Sequence, residues 1–429
     1  MTSEHWDVIV IGAGAAGLLA AARAAERGRR TLLVEKNRKP GVKILMSGGT
    51  RCNITQATDI RGIVAAFGPP GKFLHSALAG LSPQALVELF EQLGVRTKVE
   101  PTGKIFPASD KALDVQLALL KRLQQSGATL ALAEPVRTLT KTSSDFEVVT
   151  ELRILAADSI LLTTGGRSYP GSGTTGDGYA WAAQWGHTIV PPRPALVPIT
   201  VSAEWVRQLS GVTIPDVAVR VVEPTAEWAT PNAESPKKAR SKAAGSLTAA
   251  RGSFLFTHFG LSGPVILDVS RAVSGHPRPA SLVLECDFLP GMKGETLKQQ
   301  IDQLAASAGG KQLVGLLPAE LPRRLLESLF AQLGLPLERR AAEFGRQARE
   351  QLVAAIKQTR IPVQGTRGFE KAEVTAGGIA LDEVDSHTMA SKLCPGLYLA
   401  GEVLDLDGPI GGYNFQAAFS TGWLAGSHA

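Results

Sequence analysis

Three glycines and one acid at fixed spacing are the residues of this chain with the clearest chemistry. Gly12, Gly14 and Gly17 form a G-x-G-x-x-G motif, and Glu35 follows it. In this motif the first glycine makes a tight turn, the second lets backbone N–H groups approach a pyrophosphate, and the third lets a helix pack closely on a strand. The carboxylate can accept both hydroxyls of an adenosine ribose and would repel a 2′-phosphate, which disfavours NADP as the occupant. The residues assigned to this dinucleotide site are Gly12, Gly14, Ala15, Ala16, Gly17, Glu35 and Lys36.

The elements that must position this turn can be read on both sides of it. An apolar strand is predicted over 7–11, a helix of small residues over 15–27 that stops at Gly28, and a second strand over 31–34. The N-terminus of the helix would direct about half a positive charge toward the pyrophosphate. Because strand, glycine turn, helix, strand and acid follow in order, the segment predicts a βαβ dinucleotide-binding unit and not an ordinary turn.

Cys52 is a second residue with possible chemistry, and it lies between Arg51 and Asn53 in the segment GGTRCN. A thiol with an ordinary pKa of about 8.5 is protonated at neutral pH and could donate a proton, whereas a close arginine would favour the thiolate. The other interpretation is a small buried residue that packs the loop. No second cysteine is near it in sequence, which argues against thiol–disulfide exchange.

Composition places the chain among ordinary globular proteins. Its 429 residues suggest two or three domains, and its net charge of +6 is modest for this length. The three cysteines show no C-x-x-C pairing, so we predict a reducing compartment, no disulfide frame and no metal site. The N-terminus lacks the features of a signal peptide, and no apolar run reaches 18 residues. We therefore expect a cytoplasmic protein without a membrane span.

Basic residues cluster in the segment 231–252, which is rich in Pro, Ala, Ser and Gly. This composition predicts an exposed, mobile loop. The loop is either a solvated face or a surface that contacts RNA phosphates, which supply affinity without reading sequence. Arginine pairs at 323–324 and 339–340 could extend such a surface. The clustered cations are Lys237, Lys238, Arg240 and Lys242.

Distant segments identify the dinucleotide, because they resemble the FAD-binding segments of the glutathione-reductase-like superfamily. In LYLAGE a strand over 397–400 leads to an acid, and in that superfamily such an acid binds the ribityl hydroxyls. A helix from about Phe415 follows, and its N-terminus would face the flavin and stabilise negative charge on the reduced ring. SILLTTGG resembles the strand crossing of the same fold, and ATLALAEPVRTL its adenine strand. The residues assigned to FAD from these segments are Val136, Thr164, Gly165, Gly166, Gly401, Glu402, Gly411, Gly412, Tyr413 and Asn414.

Three further segments resemble a bacterial flavoprotein family, the BaiN-like, aminoacetone-oxidase-type flavoproteins. They are GVKILMSGGTRCNIT, GSFLFTHFGLSGPVILDVS and VTAGGIALDEVDSHTMASK. The resemblance implies an α/β fold with a glutathione-reductase-like FAD-binding Rossmann domain, interrupted by a β-barrel-like insert that carries a helical subdomain. It places the FAD domain at 1–190 and 367–429, the insert at 191–290 with a return strand at 357–366, and the helical subdomain at 291–356. It also adds Gly49 and Arg51 to the cofactor site, while Thr50 departs from a third glycine common in the family.

The resemblance implies flavin chemistry but leaves the reaction open. One possibility is NAD(P)H-dependent reduction of an activated C=C bond, in an enone or in a uridine of ribosomal RNA. The others are oxidation of a small amine with release of peroxide, and an RNA- or partner-binding protein with a structural FAD. Gly-rich residues 171–187 are assigned to a turn and helix of the FAD domain, so NAD(P)H would dock directly on the flavin. Reduction of an enone needs a proton donor, for which Cys52, His258 and Tyr413 are candidates. The alternatives are a structural histidine with satisfied hydrogen bonds, which is favoured at His258, and a tyrosine ring that packs at the helix start.

Overall fold

The structure is a computed structural model and describes residues 4–224 and 246–429. The predicted basic cluster, Lys237 to Lys242, lies outside these residues. The chain forms two compact units, of which the first contains residues 1–194 and 369–429 and the second contains residues 195–368. Across the described ranges, no helix is both long enough and apolar enough to cross a membrane.

The first fifty residues alternate between strand and helix, as the βαβ prediction requires. In chain order the strands are β1 (Glu4–Ile11), β2 (Thr31–Glu35), β3 (Thr55–Gln56), β4 (Thr97–Val99), β5 (Lys104–Pro107), β6 (Thr129–Leu132), β7 (Val136–Lys141), β8 (Phe146–Thr150), β9 (Ile154–Leu162), β10 (Ile189–Ala195), β11 (Ile199–Val201), β12 (Thr213–Val222), β13 (Ser246–Thr257), β14 (Gly260–Ser262), β15 (Val283–Asp287), β16 (Thr359–Thr366), β17 (Val374–Ile379) and β18 (Leu397–Leu399). The helices are α1 (Ala15–Glu26), α2 (Val42–Thr50), α3 (Ile60–Ala66), α4 (His75–Gly80), α5 (Pro83–Gln92), α6 (Ala112–Gln125), α7 (Asp177–Gln184), α8 (Glu204–Gln208), α9 (Pro264–Ser274), α10 (Gly294–Ser307), α11 (Arg323–Gln332), α12 (Arg346–Lys357) and α13 (Tyr413–His428).

A seven-stranded sheet forms the centre of the first unit. Its order is β6-β2-β1-β9-β8-β7, and β18 also pairs with β9. The pairs β6–β2, β2–β1, β1–β9 and β9–β18 are parallel, whereas β8 and β7 extend the sheet antiparallel. Strand β2 is buried along its whole length, as continuous apolar strands are when helices cover both faces of a parallel sheet. The predicted Rossmann topology is confirmed.

Helix α13 packs against α1, although the two elements stand at opposite ends of the chain. Small residues allow this close approach. A Cβ atom on Gly422 would lie 2.4 Å from the carbonyl oxygen of Ala16, and one on Gly426 would lie 2.3 Å from that of Ala20. Helix α13 begins at Tyr413, two residues before the predicted start. Because α1 follows the glycine turn and α13 follows Gly411 and Gly412, this contact connects the first and the last segments that were predicted to bind the cofactor.

The second unit contains a closed barrel with strand order β11-β14-β13-β12-β15-β16. Its core is aromatic: the rings of Phe254 and Phe256 lie 4.9 Å apart, and Phe288 packs edge-on against Phe254 at 5.9 Å. Helices α10, α11 and α12 add apolar side chains to the same core. The predicted barrel insert with helical elements is confirmed.

The prediction of a loop over 231–252 is wrong for its last seven residues. Residues 246–252 belong to strand β13, where Ala250 pairs with Val219 of β12 and Arg251 forms an ion pair with Asp216 at 2.7 Å. The small residues of this stretch suggested a loop from composition alone. The barrel can close only if this strand pairs with β12, and that tertiary pairing overrides the weak local propensity.

Candidate cofactor and active site

The glycine turn after β1 has the geometry that a bound pyrophosphate needs. Gly12 has φ +103°, and a Cβ atom on Gly17 would lie 1.9 Å from the Gly12 carbonyl oxygen, so both positions require glycine. At Gly14 a Cβ atom would meet no atom within 4 Å. Helix α1 starts here without a side-chain cap and without an acid in its first turn. The open space and the uncapped N–H groups fit an anionic ligand.

Glu35 is buried at the end of β2 and is held by backbone groups. Its two carboxylate oxygens accept hydrogen bonds from the N–H groups of Ala13 and Asn37, each at 2.8 Å. A carboxylate can accept about four hydrogen bonds, so acceptor capacity is left for ribose hydroxyls. Lys36 instead contacts Asp177 and Thr175, each at 2.6 Å, so its charge is already compensated.

The segment after β9 joins the glycine turn to the carboxyl-terminal region. The Thr163 hydroxyl donates to the Gly12 carbonyl at 2.8 Å. The Thr164 hydroxyl is buried and has no hydrogen-bond partner among the described residues, which fits a polar ligand group at this point. Gly165 has φ +72°, and a Cβ atom on Gly166 would lie 3.0 Å from a Glu402 carboxylate oxygen.

Glu402 is the centre of a polar network that sequence analysis did not predict. Its carboxylate accepts hydrogen bonds from Lys43 Nζ at 2.6 Å, the Ser168 hydroxyl at 2.6 Å and the Thr375 N–H at 2.8 Å. Lys43 also donates to the Ser168 hydroxyl at 2.5 Å. Lys43 and Thr375 lie in two of the segments that carried the family resemblance. That shared location was the available signal for them, since their contacts join residues far apart in sequence.

The loop 47–53 begins inside the bounds of α2, where the backbone is no longer helical from Ser47 to Gly49. Gly48 (φ +56°), Gly49 (φ +67°), Thr50 (φ +69°) and Cys52 (φ +61°) are all left-handed. A third glycine would adopt this conformation at position 50 without the cost of about 1–2 kcal/mol that a residue with a Cβ incurs.

Two neighbours of this loop hold it in place. The Arg51 guanidinium lies 4.0 Å over the Phe106 ring and forms an ion pair with Glu100 at 2.6 Å. The Asn53 amide, oriented by its hydrogen-bond network, accepts from the Gly412 N–H at 2.9 Å. Arg51 was predicted to contact the cofactor, and the structure gives its guanidinium an acidic and an aromatic partner.

Cys52 is fully buried among apolar side chains of the first unit. Burial raises the pKa of its thiol to about 12, although a hydrogen bond with Ser47 lowers it in part. The thiol is therefore protonated at neutral pH and out of contact with solvent, which favours the packing role over proton donation. Cys286 and Cys394 are also buried, and all three cysteines are free thiols.

Tyr413 is half-buried at the start of α13, and its ring packs beside Gly411. The N-cap of this helix is Gly412, at φ +92°, with no side-chain cap. Asn414 fixes the preceding turn, since its amide oxygen accepts from the Gly408 N–H at 2.8 Å and its amide nitrogen donates to the Gly408 carbonyl at 2.9 Å. A Cβ atom on Gly401 would lie 2.9 Å from Ala16 Cβ, which connects this region with α1.

Two other predicted site residues, Val136 and His258, have contacts within their own units. Val136 is the first residue of β7 and pairs with Thr150. His258 is exposed in the second unit, where its ring packs edge-on against Phe259 at 5.0 Å. Within residues 4–224 and 246–429, no group of three or more His, Cys, Asp or Glu side chains is placed to hold a metal ion.

The fold and the site define an FAD-binding flavoprotein of the Rossmann class. Comparison with known families gives the particular one: residues 6–428 match the HI0933-like protein Rossmann domain, and the chain belongs to this family of FAD-dependent oxidoreductases. The chain is 33% identical over 423 residues to the ribosomal RNA dihydrouridine synthase of Escherichia coli K12, covering 98% of this chain and 97% of the relative. It is 31% identical over 428 residues to the 3-dehydro-bile acid delta(4,6)-reductase of Clostridium scindens, covering 98% of each.

Solved structures show the same fold at low sequence identity. The 3-ketosteroid-delta4-(5alpha)-dehydrogenase of Rhodococcus jostii RHA1 has a TM-score of 0.51 at 13% identity, covering 99% of this chain and 98% of that protein. The 3-ketosteroid delta1-dehydrogenase of Sterolibacterium denitrificans has a TM-score of 0.51 at 16% identity, covering 99% of each chain.

Proposed function

We propose that this flavoprotein is an NAD(P)H-dependent reductase of an activated C=C bond. The observation that carries the proposal is the pair of relatives that match 98% of this chain at 33% and 31% identity. One is named a ribosomal RNA dihydrouridine synthase and the other a 3-dehydro-bile acid delta(4,6)-reductase. Dihydrouridine is uridine with its ring C=C bond saturated, so both names are compatible with reduction of a C=C bond. The absence of a partner thiol near Cys52 in sequence supports this choice over disulfide reduction.

The residues of the first unit have separable tasks in this reaction. When bound, FAD supplies hydride transfer between NAD(P)H and one carbon of the substrate. The uncapped start of α1 and Glu35 would hold its pyrophosphate and ribose, and Glu402 its ribityl chain. The uncapped start of α13 would stabilise negative charge on the reduced ring. In this proposal Tyr413, half-buried at that helix start, would donate the proton to the second carbon.

A uridine in ribosomal RNA is the substrate that we favour. The dihydrouridine synthase is the relative with the higher identity of the two, and this chain has a basic balance of +6. The four clustered cations, which lie outside the described residues, would contact RNA phosphates in this proposal. An enone small molecule remains the second choice of substrate, through the bile-acid reductase.

Anaerobic mixing of the purified yellow protein with NADH, NADPH or a small amine tests the reaction. We expect NADH or NADPH to bleach the visible flavin band, and an RNA fragment or an enone to restore it. Bleaching by an amine followed by peroxide release in air would replace the proposal with an amine oxidase. A flavin that none of these compounds bleaches would indicate a structural cofactor.

RNA contact is tested by salt dependence. Changing Lys237, Lys238, Arg240 and Lys242 to Ser should flatten the slope of log affinity against log salt by about 0.7–0.9 for each phosphate contact that is lost. Changing only the three lysines to Arg keeps the charge and should leave the slope unchanged. An unchanged slope in the Ser variant would show that the cluster is only a solvated surface.

A further inference from the structure

Lys43 is a cation of the first unit that has no task in the reaction proposed above. Its ammonium donates to a carboxylate oxygen of Glu402 at 2.6 Å and to the Ser168 hydroxyl at 2.5 Å. An ammonium has three N–H donors. Among the residues that the structure describes, the third donor of Lys43 has no protein acceptor. The side chain is 28% exposed and is therefore accessible to a ligand.

The surroundings of Lys43 are fixed by residues that line the predicted cofactor site. The N–H of Gly41, the N-cap of α2, donates to the Ala13 carbonyl of the glycine turn at 2.7 Å. On the other side, the buried Ser168 donates to Glu402 at 2.6 Å, and its own N–H donates to the Thr375 hydroxyl at 3.0 Å. Lys43 is thus held between the glycine turn and the acid predicted to bind the ribityl chain, which is directly attached to the flavin ring.

We propose that Lys43 contacts the bound flavin with its third N–H donor, and that the charges of Lys43 and Glu402 shift the reduction potential of the flavin in opposite directions. This inference rests on the assignment of Glu402 to the ribityl chain. Reduction adds electrons to the ring, so a nearby cation favours the reduced form and a nearby carboxylate favours the oxidised form. In the pair, the two effects oppose each other. Ser168 and Thr375 are positioning residues, because they orient the carboxylate and the ammonium.

The proposal requires that single substitutions shift the potential in opposite directions. Lys43→Met leaves the Glu402 carboxylate uncompensated, so we expect the equilibrium ratio of oxidised to reduced flavin to rise about tenfold. This change corresponds to a reduction potential about 30 mV lower for a two-electron couple. Glu402→Gln leaves the ammonium uncompensated and should raise the potential by a similar amount. The double variant should lie near the parent, and Lys43→Arg should stay near it because the charge is kept.

The experiment is anaerobic equilibration of each holoprotein with a reference dye, together with titration of FAD affinity. Lys392→Met is the matched control: it removes the same charge from an exposed lysine of the same unit whose ammonium donates to the Asp382 carbonyl at 2.8 Å, and it should not move the potential. Unchanged potentials with weaker FAD binding would overturn the inference, since Lys43 would then serve only phosphate or sugar. Shifts of both single variants in the same direction would also overturn it. A parent protein that does not bind FAD would overturn the proposed function itself, which is a separate outcome.

Discussion

Glu35 ends one parallel strand of the sheet and Glu402 follows another. Both are predicted to bind hydroxyl groups of one cofactor, but they are held differently. Glu35 accepts two backbone N–H groups from residues within 22 positions of it. Glu402 is held by Lys43, which is 359 positions away in sequence, and by Ser168, which is 234 positions away. The first carboxylate is held by local chain geometry and the second by tertiary assembly.

This difference explains which parts of the site could be predicted from the sequence. The glycine turn, α1 and Glu35 form a contiguous motif, so spacing alone located them. The parallel sheet and the barrel insert also followed from patterns and from the family resemblance. Lys43 and Ser168 could not be predicted, because no local pattern marks a residue whose partners lie in other segments. Residues 246–252 were mistaken for a loop because strand pairing, and not composition, decided their structure.

The largest effect should come from the glycine turn that positions Glu35. Gly17→Ala places a Cβ atom 1.9 Å from the Gly12 carbonyl oxygen, so we expect a protein that does not fold stably or bind FAD. Gly14→Ala meets no protein atom within 4 Å and should fold normally, but lose FAD affinity because the methyl group occupies ligand space. Circular dichroism and flavin absorbance measure the two properties. Full FAD affinity in folded Gly14→Ala would show that no ligand approaches this turn.

Removal of each carboxylate should give the next largest effect. A hydrogen bond to a charged group contributes about 1.5–3 kcal/mol, so Glu402→Ala should weaken FAD binding by about 10- to 150-fold. Glu35→Ala should weaken it by at least as much, because it also frees two buried N–H donors. Dilution of the holoproteins with fluorescence detection of released FAD measures both. Full flavin occupancy of Glu402→Ala on dilution would refute the ribityl assignment.

Substitution of Cys52 tests whether its thiol takes part in the reaction or only packs the loop 47–53. If burial reflects packing, Cys52→Ala should lower the free energy of unfolding by about 1 kcal/mol and change turnover by less than tenfold. Cys52→Ser should be less stable still, because it buries a hydroxyl. The measurements are urea unfolding and single-turnover reoxidation by substrate. A loss of about 10² to 10⁴ in reoxidation by both variants, with flavin occupancy and NAD(P)H reduction intact, would restore Cys52 as the proton donor.

The smallest effect should come from His187, a buried residue outside both carboxylate networks. Its ring contacts Ser391 at 2.7 Å and Glu383 at 3.2 Å, and burial lowers its pKa below the ordinary value, although Glu383 opposes this. On acidification the unfolded chain therefore takes up this proton at a higher pH than the folded chain. The contribution of neutral His187 to the free energy of unfolding is complete above about pH 6.5 and is lost as the pH falls toward the folded pKa. Urea unfolding at about pH 8 and about pH 5.5 should show a smaller decrease for His187→Gln than for the parent. Equal decreases would exclude His187 as a source of the acid sensitivity.

The discontinuity of the first unit has a consequence for synthesis of the chain. Strand β9 ends at Leu162, and its partner β18 begins at Leu397, so residues 163–396 must be made before the two can pair. At about 5–20 residues per second, translation of this stretch takes on the order of ten to fifty seconds. The second unit has its own hydrophobic core and can fold during that interval. The nascent chain therefore leaves part of the edge of β9 unpaired during this interval, and the segments predicted to bind the flavin come together only after β18 and α13 have been made.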